Sequence, residues 1–128
     1  MPVRQLRLVV TAADYDEAVH FYRDVLGLGE RDAVQSPNGR VMILDAGQAT
    51  LELAEPSTAE YIDEVEVGRR VAGHIRVAFE VDDTRATTAA LAEAGAEILG
   101  EPRRTPFRST NARLTGPAGL QLTLFQMD

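Results

Sequence analysis

The chain has 128 residues, 45% of them hydrophobic, which suits one globular domain with a real core and excludes a disordered segment. Its net charge of −7 argues against nucleic acid or an anionic membrane as a general partner. It has no cysteine, so disulfides and thiolate chemistry are excluded, and no apolar run approaches the ~18 residues of a membrane span.

Leu6, Leu8 and Val10 alternate with Arg7, Val9 and Thr11, the period-2 pattern of a strand with two unlike faces. The opening MPVRQLRLVV has no signal-peptide core, so a cytoplasmic location is expected. Asp14 offers an N-cap carboxylate, and Glu17 completes a capping-box-like pair. Ala18, Phe21, Tyr22, Val25 and Leu26 then form one apolar helical stripe, stopped by Gly27 and Gly29. Glu30–Gln35 and Arg40–Asp45 read as a hairpin about Asn38-Gly39, and Ala49–Ala54 as a further strand. Glu55–Arg70 is an acidic link with a short helix around Thr58–Glu64.

The order then returns. RVAFEVDD at Arg76–Asp83 lies over RLVVTAAD at Arg7–Asp14, so Asp83 falls on Asp14 and Arg76 on Arg7. Ala86, Ala89, Ala90, Leu91 and Ala94 follow as a second helix, ended by Gly95. Strands are expected near His74–Val81, Ala96–Gly100, Thr110–Thr115 and Leu120–Gln126, with Pro102–Phe107 as an irregular loop. In the tail of each half Glu52 falls on Thr123 and Asp45 on Gly116. A repeat of strand, helix and hairpin in matching order signals duplication. The expected organisation is one domain, 1–128, with a first module at 1–56, a linker at 57–72 and a second module at 73–128.

The segments LVVTAADYDEAVHFYRDVLGLG, TLELAEP, HIRVAFEVDD and GPAGLQLTLF resemble the vicinal oxygen chelate superfamily, which includes glyoxalase I, extradiol dioxygenases and bleomycin-resistance proteins. The resemblance spans essentially the whole chain. It implies an α+β fold of two tandem βαβββ modules, whose mostly antiparallel mixed sheet is cupped around a cleft, commonly in a homodimer. It also implies a metal site to which each module gives a residue of its first and its last strand. Those positions hold Arg7, Glu52, Arg76 and Thr123. Arginine is permanently protonated and offers no lone pair to a cation. No resident metal is therefore expected. A displaced set of Glu52, His74 and Glu80 is the alternative, with zinc, nickel, manganese or iron as the ion. The ordinary reading of His74 is a strand-start residue near solvent.

Parity fills in the cup. Arg7, Val9 and Thr11 share a face, as do Arg76, Ala78 and Glu80, then Thr50, Glu52 and Ala54, and Gln121, Thr123 and Phe125. The opposite parity is almost purely apolar and should face the helices. One reading fills the polar cup with its own Arg7–Glu52 and Arg76–Glu80 ion pairs. The other makes it a small-molecule pocket, with Arg7 and Arg76 forking onto an anion and Glu52 anchoring a hydroxyl or amine or acting as a general base. Phe107, Arg108 and Asn111 would form the rim, with Phe107 stacking on a flat ligand. The favoured expectation is metal-independent binding of a small organic molecule. The rival is a lyase, isomerase or dioxygenase of the same superfamily.

Overall fold

Asp14 and Asp83, the two residues that the internal repeat superposes, each close the start of a helix. Asp14 Oδ1 accepts the Glu17 amide at 3.0 Å, and Asp83 Oδ1 accepts the Ala86 amide at 3.0 Å. Each side chain thus satisfies an amide that helix geometry leaves without a partner. The computed structural model describes residues 7–49, 52 and 54–128. In chain order these form α1 (Tyr15–Val19), which runs on as π-helical turns over His20–Val25, then the hairpin β1 (Gly29–Ser36) and β2 (Gly39–Asp45). Next come α2 (Pro56–Glu66), β3 (Val77–Glu80), α3 (Thr84–Glu93), β4 (Glu97–Arg104), β5 (Ser109–Thr115) and β6 (Gln121–Met127). Gly27 and Gly95, at φ +91° and +106°, turn the chain out of the first and third helical segments.

The second half is a complete βαβββ unit. Its sheet has the order β3-β6-β5-β4, with β3 parallel to β6 and the other pairs antiparallel. The β1–β2 hairpin is a separate two-stranded sheet. One sheet face carries Leu114, Leu122 and Leu124 onto Leu91 of α3 and onto Phe21 and Tyr22. These leucines and Phe21 are at most 1% exposed, so each contributes roughly 1.5–3 kcal/mol of apolar burial. The chain is thus an α+β protein of the expected fold class.

Several expected elements shift. Arg7–Val10 forms no strand among the described residues, and Leu8, Val9 and Val10 are 48%, 86% and 40% exposed. Alternation states what a segment is able to pair with, and no described strand reaches it. Of the strand expected at Ala49–Ala54, Glu52 and Ala54 are not in a ladder, while Thr50, Leu51 and Leu53, like Leu6, lie outside the described residues. The buried stripe of α3 is Thr84, Thr88 and Leu91 rather than its alanines, because Thr84 Oγ1 donates to the Thr110 carbonyl at 2.8 Å and ties that side to the sheet. β4 runs through Pro102 to Arg104 where a loop is expected. It is an outer strand with register shifts between Ile98 and Gly100 and between Gly100 and Arg103. A proline without an N–H is tolerated at such an irregular edge. The acidic link is likewise no solvated spacer, since α2 is longer than expected and buries Asp63 and Glu66.

The π-helical turns bring Phe21 and Tyr22 edge to face, 4.9 Å between ring centres. Tyr22 Oη donates to the Pro117 carbonyl at 2.9 Å, locking the turn before β6 onto this helix. Burial pushes the phenol up to about 12, so it remains a donor throughout the neutral range. Tyr22→Phe should therefore lose about 1 kcal/mol in urea unfolding, the net value of one hydrogen bond. An unchanged midpoint would show that the phenol does not hold the turn.

Candidate functional site

The polar face of the four-stranded sheet is built by odd-numbered residues of β5 and β6. Asn111 pairs across the ladder with Phe125, Arg113 with Thr123, and Thr115 with Gln121. Against this face lies α2, whose Asp63 and Glu66 sit three residues apart and so point the same way. The buried Arg113 guanidinium lies between them. Its Nη1 donates to Asp63 Oδ1 and to Gln121 Oε1, each at 2.7 Å, and its Nε to Glu66 Oε1 at 3.0 Å. Nη2 lies 2.9 Å from Glu66 Oε1 without hydrogen-bond alignment, so that contact adds charge proximity only. Glu66 also accepts Asn111 Nδ2 at 2.8 Å and the Thr123 hydroxyl at 3.0 Å. Asp63 Oδ2 takes the amides of Val71 and Ala72 at 2.9 Å each.

Burial by itself would raise the Asp63 carboxyl. The Ala72 and Val71 amides and the Arg113 guanidinium outweigh it and hold the group below the usual carboxylate range. A carboxylate with a depressed folded pKa stabilises the fold above its unfolded value, near 3.9, and loses that contribution as pH falls through the lower folded value. Stability measured from pH 6 to pH 2 should thus fall in acid less steeply in Asp63→Asn than in the parent chain. Equal slopes would remove Asp63 from the account.

Beside this network opens a cleft of ≈ 350 Å³, lined by Glu52, Ile62, Glu66, Arg76, Ala78, Phe107, Ser109, Asn111, Thr123, Phe125 and Met127. Arg76 Nη1 donates to Thr123 Oγ1 at 2.7 Å, its one hydrogen bond among the described residues. Burial, with Arg113 nearby, lowers the Arg76 pKa against the opposing pull of Glu66, Glu52 and Asp63. Phe107 stands edge to face with Tyr61 of α2 at 5.9 Å, so the rim ring is braced by that helix.

Of the residues singled out from sequence, the fold gathers Glu52, Arg76, Phe107, Asn111 and Thr123 around this cleft. Gln121 is drawn into the Arg113 network, where its Nε2 donates to the Val71 carbonyl at 3.0 Å. Arg7 and Thr11 lie in the exposed segment before α1, and Arg108 stands in the turn before β5 at φ +61°, all outside the lining. Glu80 is exposed and also outside it. No Arg76–Glu80 ion pair forms, because four residues of strand span about 13 Å. The ions that occupy the cup are Arg113, Asp63 and Glu66, which sequence reasoning missed. Their signal was an arginine between Ala112 and Leu114 on a strand, which needs buried carboxylates, and an acidic pair on one helix face.

The residues present do not fit a divalent ion. Arg76 has no lone pair to give, and the Thr123 hydroxyl already serves Arg76, Arg113 and Glu66. Among the described residues no three His, Cys, Asp or Glu side chains gather in a metal-holding group. Glu52, His74 and Glu80 are thus not brought together: Glu52 lines the cleft, His74 lies in a bend before β3 where a strand is expected, and Glu80 ends β3, both of them exposed and outside the lining.

An α+β protein with a polar cleft on one face of a βαβββ sheet is the class that this geometry defines. The chain belongs to the glyoxalase/bleomycin resistance protein/dioxygenase superfamily, whose family model matches residues 4–124. Among solved structures it is similar to UcmS2, with 25% identity, 98% of each chain covered and a TM-score of 0.64. It is similar also to TnmS3, an antibiotic binding protein from Streptomyces sp. CB03234, with 23% identity, 100% of this chain and 99% of that one covered and a TM-score of 0.64. A third is a superfamily member from Sphaerobacter thermophilus DSM 20745, with 23% identity, 92% and 91% coverage and a TM-score of 0.61. Among curated proteins none matches. No helix of the described residues is long and apolar enough to cross a membrane.

Proposed function

We propose that this protein binds a small organic molecule, anionic at one end, in the cleft over β3 and β6, without a metal ion. The observation that carries the reading is Arg76. It is a half-buried cation facing a cleft, with one neutral hydrogen-bond partner and no salt bridge among the described residues. A guanidinium so placed favours a carboxylate or phosphate that takes two of its N–H groups at once. The volume lies in the range of ligand sites, and Phe107, Phe125, Ile62 and Met127 supply apolar wall. That the related TnmS3 is an antibiotic binding protein agrees with sequestration or carriage of such a molecule. We read the protein as a cytoplasmic homodimer.

The test is thermal shift with organic carboxylates and phosphates on one side and zinc, nickel, manganese and iron on the other. A ligand of the folded state at a hundred times its Kd adds about 2.7 kcal/mol of stability. Organic anions should raise the melting temperature, and Arg76→Met should abolish that rise. Near-stoichiometric divalent metal in purified protein, lost in Glu52→Ala, would overturn the reading.

A further inference from the structure

The cleft carries charges of both signs. Arg76 and Glu52 both line it, and no salt bridge joins them or ties either to another charged side chain among the described residues. Glu52 is exposed at the mouth, whereas Arg76 lies deeper, bonded to the Thr123 hydroxyl of β6. The other charges on this face are hydrogen-bonded within the protein, with Arg113 lying between Asp63 and Glu66 out of solvent and the three together keeping one net negative charge. What the cleft presents to a visitor is one cation inside, one exposed anion at the rim, and an apolar wall with Phe107 and Phe125, while Glu66, also in the lining, is buried and already bonded to Arg113, Asn111 and Thr123. An anion alone would satisfy Arg76 and be repelled by Glu52. A cation alone would do the reverse.

We propose that the ligand is zwitterionic, an amino acid or amino-acid-like molecule with an apolar body, whose carboxylate meets Arg76 and whose ammonium meets Glu52. This rests on the small-molecule reading above and names the ligand's chemical class. The carboxylate takes the deeper place because the planar guanidinium fork matches it and is more weakly hydrated than an ammonium. The ammonium stays near water at the rim, where its desolvation is small. Phe107 and Phe125 offer apolar wall to an aromatic or branched aliphatic side chain carried beside the two charges.

Calorimetric titration of the full chain with L-phenylalanine, 3-phenylpropanoate and 2-phenylethylamine tests the class, because the three probes share the ring and differ in charge. Phenylalanine is expected to bind about tenfold tighter than either singly charged probe, the usual effect of one added charge-assisted hydrogen bond. Glu52→Gln should bring phenylalanine down to the level of 3-phenylpropanoate, and Arg76→Met down to that of 2-phenylethylamine. The comparison on the unsubstituted chain stands even if a variant folds poorly. If 3-phenylpropanoate binds as tightly as phenylalanine, the zwitterion is overturned while anion binding at Arg76 survives. If 2-phenylethylamine matches phenylalanine, Arg76 has no part and the proposal fails. If none of the three binds, the zwitterion proposal is overturned, and the broader reading then stands or falls on the anion and metal screen.

Discussion

Arg113→Met is expected to destabilise the folded chain by about 3–5 kcal/mol, read as the loss in urea unfolding free energy. The side chain of Arg113 is wholly buried and stands between Asp63 and Glu66, at most 2% exposed. Methionine fills much of the volume but leaves two carboxylates out of water without their cation. Asp63 keeps the Val71 and Ala72 amides and Glu66 keeps Asn111 and Thr123, but Glu66 faces two guanidinium nitrogens against one for Asp63 and so loses more. Adding Glu66→Leu to Arg113→Met should recover part of the stability, since removing a buried charge together with its partner is often neutral. A single variant within about 0.5 kcal/mol of the parent would mean that α2 leaves the sheet at little cost.

Gly100→Ala should cost roughly 1–3 kcal/mol and loosen α2 in particular. A Cβ at Gly100 would overlap the carbonyl oxygen of Glu66 and lie 3.1 Å from its carbonyl carbon and 3.3 Å from Val67 Cα. All three are backbone atoms, so no side-chain rotation relieves the clash. Either β4 or the end of α2 must move, and movement of α2 pulls Glu66 away from Arg113. Limited proteolysis between residues 56 and 72 should become faster in this variant than in the parent. An unchanged cleavage rate together with an unchanged melting temperature would show that α2 does not press on β4.

Much of this arrangement was legible in the residues, and what was missed has physical causes. Period-2 alternation in the last strand correctly sets Leu122 and Leu124 apart from Gln121, Thr123 and Phe125, because that pattern depends only on the pleat. Caps at Asp14 and Asp83 were legible because capping acts over three residues. The helix Pro56–Glu66 was placed in outline but its docking was not, since acidic composition reads as solvent-facing. Only Arg113, fifty residues away, reveals which way Asp63 points. Register with the first half also drew attention to Arg7, Glu80 and the segment before α1, but a repeat in sequence carries no assurance that both copies find strand partners. Glu52 and Arg76 were found by that same register and do meet at one cleft.

The outer strands of the four-stranded sheet differ from its middle in a way that bears on solubility. β3 is only four residues long, and β4 has two breaks in its ladder, the second of them at Pro102. A foreign strand needs a straight, continuous row of amide and carbonyl groups to zip onto, and neither border offers one. The sheet is thereby guarded against edge-to-edge aggregation, and self-association by strand addition there is disfavoured even at high protein concentration.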